Sequence, residues 1–357
     1  MYKKNILMTS ILTLSLIFLF GLTNFFIDPF QQYRIASFYK PYFMLQRYMM
    51  PGLSKNLNYN TAIVGGICLL DNFNISEVDS ILNVKSAKLN MQGGSPYGTS
   101  IMLKTIFREN KNIKNIIYGL PISAYMKPHD FLQLGEKFPK FLYDDNLFND
   151  YKYLLSIDTF LSSIKGFLKN LFNMGVYSLD INTAYHWVDS PKNYGSKNVE
   201  KMWKEKISET ENRENLTPIN LQKQIYFNMI ENLNKNIIPH IDLNKNVNFT
   251  IYFIPYSIAY LKDISNRGLL DEFLSFREYC VKELNKRKNI TMLDFQLDIN
   301  LIYNFKYYKD FVHYSKEVNS IQVEYIKDKK FLVNDSNIQE HNNIIEQIVR
   351  RFKFKGN

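Results

Sequence analysis

Cysteine is scarce: the chain has two, Cys68 and Cys280, in 357 residues. They form no Cys-x-x-Cys pair and no Cys/His cluster. The sequence therefore encodes neither a disulfide framework nor a thiolate metal site, and no metal or cofactor is expected. A single long-range bridge between the two stays open. Dense basic stripes are also missing. Lysine and arginine exceed the acids 44 to 34, a net charge of +10, but they are spread along the chain and no nucleic-acid motif accompanies them. Nucleic acid is not the expected partner. The surplus charge suits an anionic lipid surface or an acidic glycan. No internal repeat or low-complexity tract stands out either.

What is present is core-forming material. Hydrophobic residues make up 46% and aromatics 15%, chiefly Phe and Tyr, ample for one large folded domain.

The N-terminus begins with Lys3 and Lys4, and residues 5–27 then run without a charge to Asp28-Pro29. A helix of that length crosses roughly 30 Å of hydrocarbon. A cleaved signal peptide would have an apolar region of about 7–15 residues and a small-residue cleavage site, and Asn24-Phe-Phe-Ile-Asp-Pro supplies neither. The expectation is an uncleaved anchor over residues 1–30. Lys3 and Lys4 stay cytoplasmic, and the domain of residues 31–357 sits outside the cell membrane.

Beyond the anchor, residues 28–58 read as a connecting segment. Residues 60–67 read as a buried strand ending in glycines, 74–83 as a helix, Lys88–Met91 as a strand, 97–109 as a helix and Asn115–Leu120 as a strand. This alternation predicts a parallel sheet with right-handed crossovers. Residues 125–245 interrupt it as a mainly helical insertion or cap, with an amphipathic helix at Tyr153–Phe172 and polar helices over 198–235. The alternation returns with a strand at Val247–Pro255, a helix at 268–286, a strand at 289–295 and a helix from about Ser315, followed by a helix in the tail at 337–353.

In such a sheet, ligands bind beyond the carboxyl ends of the strands. Three segments carry chemistry to that edge: Gly66-Ile-Cys-Leu-Leu-Asp-Asn-Phe73, Met91-Gln-Gly-Gly-Ser-Pro-Tyr97, and Asp310-Phe-Val-His-Tyr314. His129, His186, His240 and His341 lack any partner pattern and read as surface or structural.

Together with Asp28-Pro29-Phe30 and Phe253-Ile-Pro-Tyr-Ser257, these segments resemble the SGNH (GDSL-like) hydrolase superfamily, in its membrane-anchored branch acting on cell-envelope polymers. The resemblance spans the chain, with residues 125–245 matching only loosely. It implies a three-layer α/β/α, flavodoxin-like fold. Cys68 stands where the nucleophilic Ser would sit. His313 would be the base and Asp310 its orienting carboxylate, with Gly66, Gly93 and Ser95 at oxyanion or substrate-binding positions. The superfamily's oxyanion Asn has no counterpart near Gly119-Leu-Pro-Ile122. A thiolate is formed more readily than an alkoxide, so Cys68 is competent for acyl transfer through a thioester. The implied function is an esterase or O-acyltransferase on a cell-surface polysaccharide, served by a polytopic membrane acyl-transfer partner. The alternative is a non-catalytic scaffold of an envelope glycan-modifying complex that keeps the fold.

Overall fold

The computed structural model describes residues 2–39, 46–66, 73–91, 93–172, 194–210 and 217–354. The helices of eight or more residues are α1 (Tyr2–Ile27), α2 (Gln46–Asn56), α3 (Ile75–Leu82), α4 (Pro96–Glu109), α5 (Ile157–Leu171), α6 (Ser196–Thr210), α7 (Ile219–Asn232), α8 (Ile258–Asn266), α9 (Leu270–Leu284), α10 (Lys316–Asp328) and α11 (Ile338–Arg351). The strands are β1 (Thr61–Gly65), β2 (Ser86–Lys88), β3 (Asn115–Leu120), β4 (Asn248–Phe253) and β5 (Ile290–Asp294).

The five strands form one parallel sheet in the order β2-β1-β3-β4-β5. β1 is buried at every residue and β3 at all but its first. Alternate side chains point to opposite faces, so burial of both sets means that both faces are covered. β-Branched and aromatic residues such as Ile63, Val64, Ile117, Tyr118, Ile251 and Phe253 fill those faces. The chain leaves β1 toward β2 on one side and, after β3, continues to β4 and β5 on the other. The crevice between the carboxyl ends of β1 and β3 is therefore the topological switch point.

Local chemistry sets the helix starts. Ser95 caps α4, its Oγ accepting from the Gly98 N–H at 3.1 Å, with Pro96 as the first helical residue. Ser257 caps α8 in the same way. The long apolar helix is α1, the only described helix long and apolar enough to cross a membrane, and none of its most apolar window is buried.

Two segments depart from expectation. The second strand is Ser86–Lys88 rather than 88–91, because after Leu89, whose N–H still reaches the Ile63 carbonyl at 2.9 Å, the chain turns away. Residues 28–58 are more than a connector: α2 buries Met49, Met50 and Leu53 in the core beside Phe30. Within the 125–245 stretch, α7 packs on α9, and the π-turn Leu233–Ile237 that follows it packs on α4. This part is the crossover joining β3 to β4.

The Asp28-Pro-Phe sequence has a structural role at the anchor's exit. Asp28 is left-handed (φ 48°), and its carboxylate accepts the N–H groups of Gln32, Tyr33 and Arg34 at 2.8, 2.8 and 3.2 Å. It also accepts the Tyr153 hydroxyl at 2.7 Å. Burial pushes the Asp28 carboxyl above its ordinary pKa despite these donors. Asp28→Ala strands several donors and places alanine at positive φ. It should cost about 2–3 kcal/mol in chemical unfolding of the full chain, with Asp28→Asn recovering part of the loss.

Candidate active site

The segment after β5 delivers Asp310 and His313. Asp310 Oδ1 accepts the N–H groups of Val312 and His313 at 2.9 and 2.8 Å, and its Oδ2 lies 2.7 Å from His313 Nδ1. One carboxylate thus shapes its own turn and orients the ring. Burial pushes the Asp310 carboxyl up, but the hydrogen bond and charge of His313 and the two backbone N–H groups outweigh it and hold it below its ordinary pKa. Asp310 is therefore the ionised partner, Nδ1 carries the shared proton, and proton transfer falls to Nε2.

This turn is pinned to the end of β4. The Ser257 Oγ and N–H both donate to the Phe311 carbonyl, at 2.7 and 3.2 Å. The Tyr308 hydroxyl donates to the Pro255 carbonyl at 2.9 Å. The Pro-Tyr-Ser segment singled out in the sequence is thus the clamp for the Asp-x-x-His turn.

His313 lines a cavity of about 210 Å³ at the switch point. Gly66 borders it from just beyond β1, Gly93 and Ser95 from beyond β2, Ser123 from beyond β3, and Tyr256 from beyond β4. The remaining wall is mostly apolar, with Pro121, Phe131, Ile254 and Val312. Two glycines here are required by geometry. A Cβ on Gly66 would come within 2.9 Å of the Pro121 ring, and Gly93 has φ +63°. Gly94 donates its N–H to the Met91 carbonyl at 2.8 Å, tightening the turn.

The structure therefore brings Gly66, Gly93, Ser95 and His313 to one cavity, with Asp310 behind the ring. Cys68 lies outside the described residues. Ser95 lines the wall, while its hydroxyl caps α4 and donates to the Phe131 carbonyl. Cys280 is a free, fully buried thiol on α9, so it forms no bridge, and burial pushes its pKa well up.

Sequence reasoning missed Ser123, Lys127 and Phe131, and marked Tyr256 only as part of the Pro-Tyr-Ser segment, not as a cavity residue. Ser123 Oγ is 3.2 Å from the Tyr256 hydroxyl, just beyond the carboxyl end of β3. The signal was present in Pro121-Ile-Ser directly after β3, since any polar residue just past a strand's carboxyl end belongs to this crevice.

The other histidines are occupied elsewhere. His240 is half-buried beside Ser100 Oγ at 2.8 Å, and desolvation, with Lys104 nearby, lowers its pKa to about 4. His129 pairs with Glu231 at 3.2 Å and His341 with Asp294 at 3.2 Å; His186 lies outside the described residues. Among the described residues, no three His, Cys, Asp or Glu side chains gather as a metal site would require.

No protein-family model matches this sequence, and no curated protein matches it.

Proposed function

We propose that the protein is a membrane-anchored, extracytoplasmic esterase or O-acyltransferase of the SGNH type. It moves a small acyl group to or from a cell-surface polysaccharide through a thioester at Cys68. The observation that carries this reading is the Asp310–His313 pair opening on a cavity bordered by Gly66 and Gly93. Two peptide units keep position 68 within about 7 Å of Gly66 by chain connectivity alone. The strand order, the one also found in flavodoxin-like sheets, supports the fold assignment.

The chemistry follows in two half-reactions. His313 Nε2 takes the Cys68 thiol proton, and the thiolate adds to the ester carbonyl. The Gly93 N–H, aided by Ser123 Oγ in place of the absent Asn, holds the oxyanion. Collapse breaks the C–O bond, His313 returns its proton to the departing alkoxide, and an acyl thioester remains. Water or an acceptor hydroxyl then gives its proton to His313 and attacks the thioester. The acid or new ester leaves, and Cys68 recovers the proton. Asp310 stabilises the imidazolium in both halves. A small acyl group suits the cavity's size and apolar wall. The α1 helix anchors the domain, with Lys3 and Lys4 on the cytoplasmic side. A polytopic membrane protein supplies the acyl group.

The test is turnover of p-nitrophenyl acetate by the full chain in detergent. Wild type should hydrolyse it, Cys68→Ser should retain reduced activity, and Cys68→Ala should fall to background. Equal rates for wild type and Cys68→Ala would move the protein to the non-catalytic scaffold reading.

A further inference from the structure

Helix α5 is built inside out. Its buried residues are the small Thr159, Ser163 and Gly166. Its exposed residues include Ile157, Leu161, Phe167, Leu168 and Leu171, with Ile157 69% and Leu161 59% exposed. An amphipathic helix on a water-soluble domain does the reverse, burying its large apolar stripe. Small residues facing a neighbouring helix, with bulky apolar ones facing outward, is the arrangement used in lipid.

The neighbouring helix is the anchor itself. Phe160 stacks on Phe20 with centroids 4.4 Å apart. Asn24, fully buried, donates to the carbonyls of Leu154 and Ser156 at 2.8 and 3.3 Å and accepts from Ser163 Oγ at 3.1 Å. A Cβ on Gly21 would touch Leu155 at 3.4 Å, so α1 and the turn before α5 are in close contact. At 1.5 Å per residue, Phe20 lies about 10 Å before the end of α1 at Ile27. Whatever packs on Phe20 therefore sits at the depth of the outer acyl chains. An apolar cleft of about 390 Å³ continues that surface, between Leu14, Ile17 and Phe18 of α1 and Leu154 and Leu155. The exposed Leu147, Phe148 and Tyr151 extend it.

We infer that α5 and the preceding turn, residues 147–172, form a second membrane contact seated in the outer leaflet beside α1. The occupant of the exposed face is lipid: the surface is continuous with the apolar anchor and lies at its depth. Asp158, Lys165 and Lys169 exclude full burial in hydrocarbon and place α5 along the interface, where the exposed Lys165 reaches anionic headgroups. The domain is thereby held at a fixed height and orientation, with no free tether between membrane and sheet. This inference rests on the reading of α1 as a membrane span.

The experiment reconstitutes the full chain in phosphatidylcholine–phosphatidylglycerol vesicles carrying a phospholipid with a photoactivatable diazirine on its acyl chain, followed by peptide mass spectrometry. Label is expected on α1 and on residues 157–171, with none at the exposed apolar residues Ile219 and Leu243 of the sheet domain. Label on α1 alone, or equal label at Ile219 and Leu243, overturns the inference. Absence of label from α1 itself would instead remove the anchor reading on which it rests.

Discussion

Replacing His313 by glutamine should lower acyl turnover by about 10²–10⁴-fold while leaving the fold intact. Of the described side chains lining the cavity, the imidazole is the one oriented by a carboxylate to take the thiol proton and return it to the leaving oxygen. Glutamine keeps a polar side chain of similar reach and cannot carry a proton between steps. Asp310→Asn should lower the rate by a comparable factor for a different reason. An amide that presents its NH2 group to Nδ1 favours the wrong tautomer and leaves the imidazolium without its counter-charge. The two effects should not add in the double variant, because ring and carboxylate act as one unit. Initial rates on the chromogenic ester across a pH series check this. Asp310 is held below its ordinary value of 3.8, so the wild-type rate should show no protonation of the carboxylate above about pH 4. A double variant slower than either single by a further hundredfold would show that the two side chains do not share one task.

Arg277→Leu should produce the largest loss of stability, about 3–5 kcal/mol. Arg277 and Asp294 are both 0% exposed. The guanidinium donates in a fork to both Asp294 oxygens and further to Gln296 and Asn342, at 2.6 and 2.8 Å. It also lies 4.4 Å above the Phe253 ring. Through these contacts it joins α9, β4, β5 and α11 at the sheet edge beyond which the Asp310 turn follows. Among the described residues, removing the cation leaves a buried carboxylate whose remaining side-chain partner is the His341 ring at 3.2 Å. Thermal unfolding should fall by roughly 10 °C. Arg277→Leu with Asp294→Leu should recover much of that, since a buried pair replaced by apolar residues removes its desolvation cost along with its attraction.

The pH dependence has a definite sign. In wild type, burial raises the Asp294 carboxyl, but Arg277 and His341 outweigh it and leave it below its ordinary value of 3.8. The stability it contributes is present above that value and is lost as pH falls through the lower, folded value. In Arg277→Leu, burial dominates and the carboxyl is raised, so the deficit should shrink as pH falls toward 4. Urea unfolding at several pH values measures it. A deficit that stays flat or grows toward pH 4 would show that the carboxyl is not raised in the variant.

Much of the fold was legible because its signals are local. β3 and β5 are short apolar runs closed by Pro121 and by Asp294, and α4 opens on Ser95-Pro96, so a single residue sets each boundary. The apolar pattern places β2 two residues late, since Leu89 and Met91 are as buried as strand residues although the chain is already leaving the sheet. Burial and sheet pairing are separate properties, and hydrophobic pattern reports only burial. Residues 28–58 looked like a linker because Tyr, Phe and Met carry no periodicity there; only the tertiary contacts of Phe30 and Met49 show what they fill.

The Asp310–His313 pair was readable because both ends lie in one turn, three residues apart. Ser123 and Tyr256 come from different crossovers, and their meeting depends on the register of β3 against β4, with Leu120 opposite Phe253. No spacing along the chain encodes that. Arg277 was unreadable for a similar reason. On a helix rich in charge, nothing local marks the one arginine whose partner lies at the end of the next strand.

The central claim is that position 68 carries the acyl group in a covalent intermediate. The most direct measurement is peptide mass spectrometry of the full chain quenched in acid after brief exposure to an activated acetyl ester. The prediction is one acetyl group on the peptide containing Cys68, removable by hydroxylamine and missing in Cys68→Ala. It should accumulate more slowly in His313→Gln. Folded wild-type protein with no acetyl on that peptide, or with equal acetylation in Cys68→Ala, would contradict it.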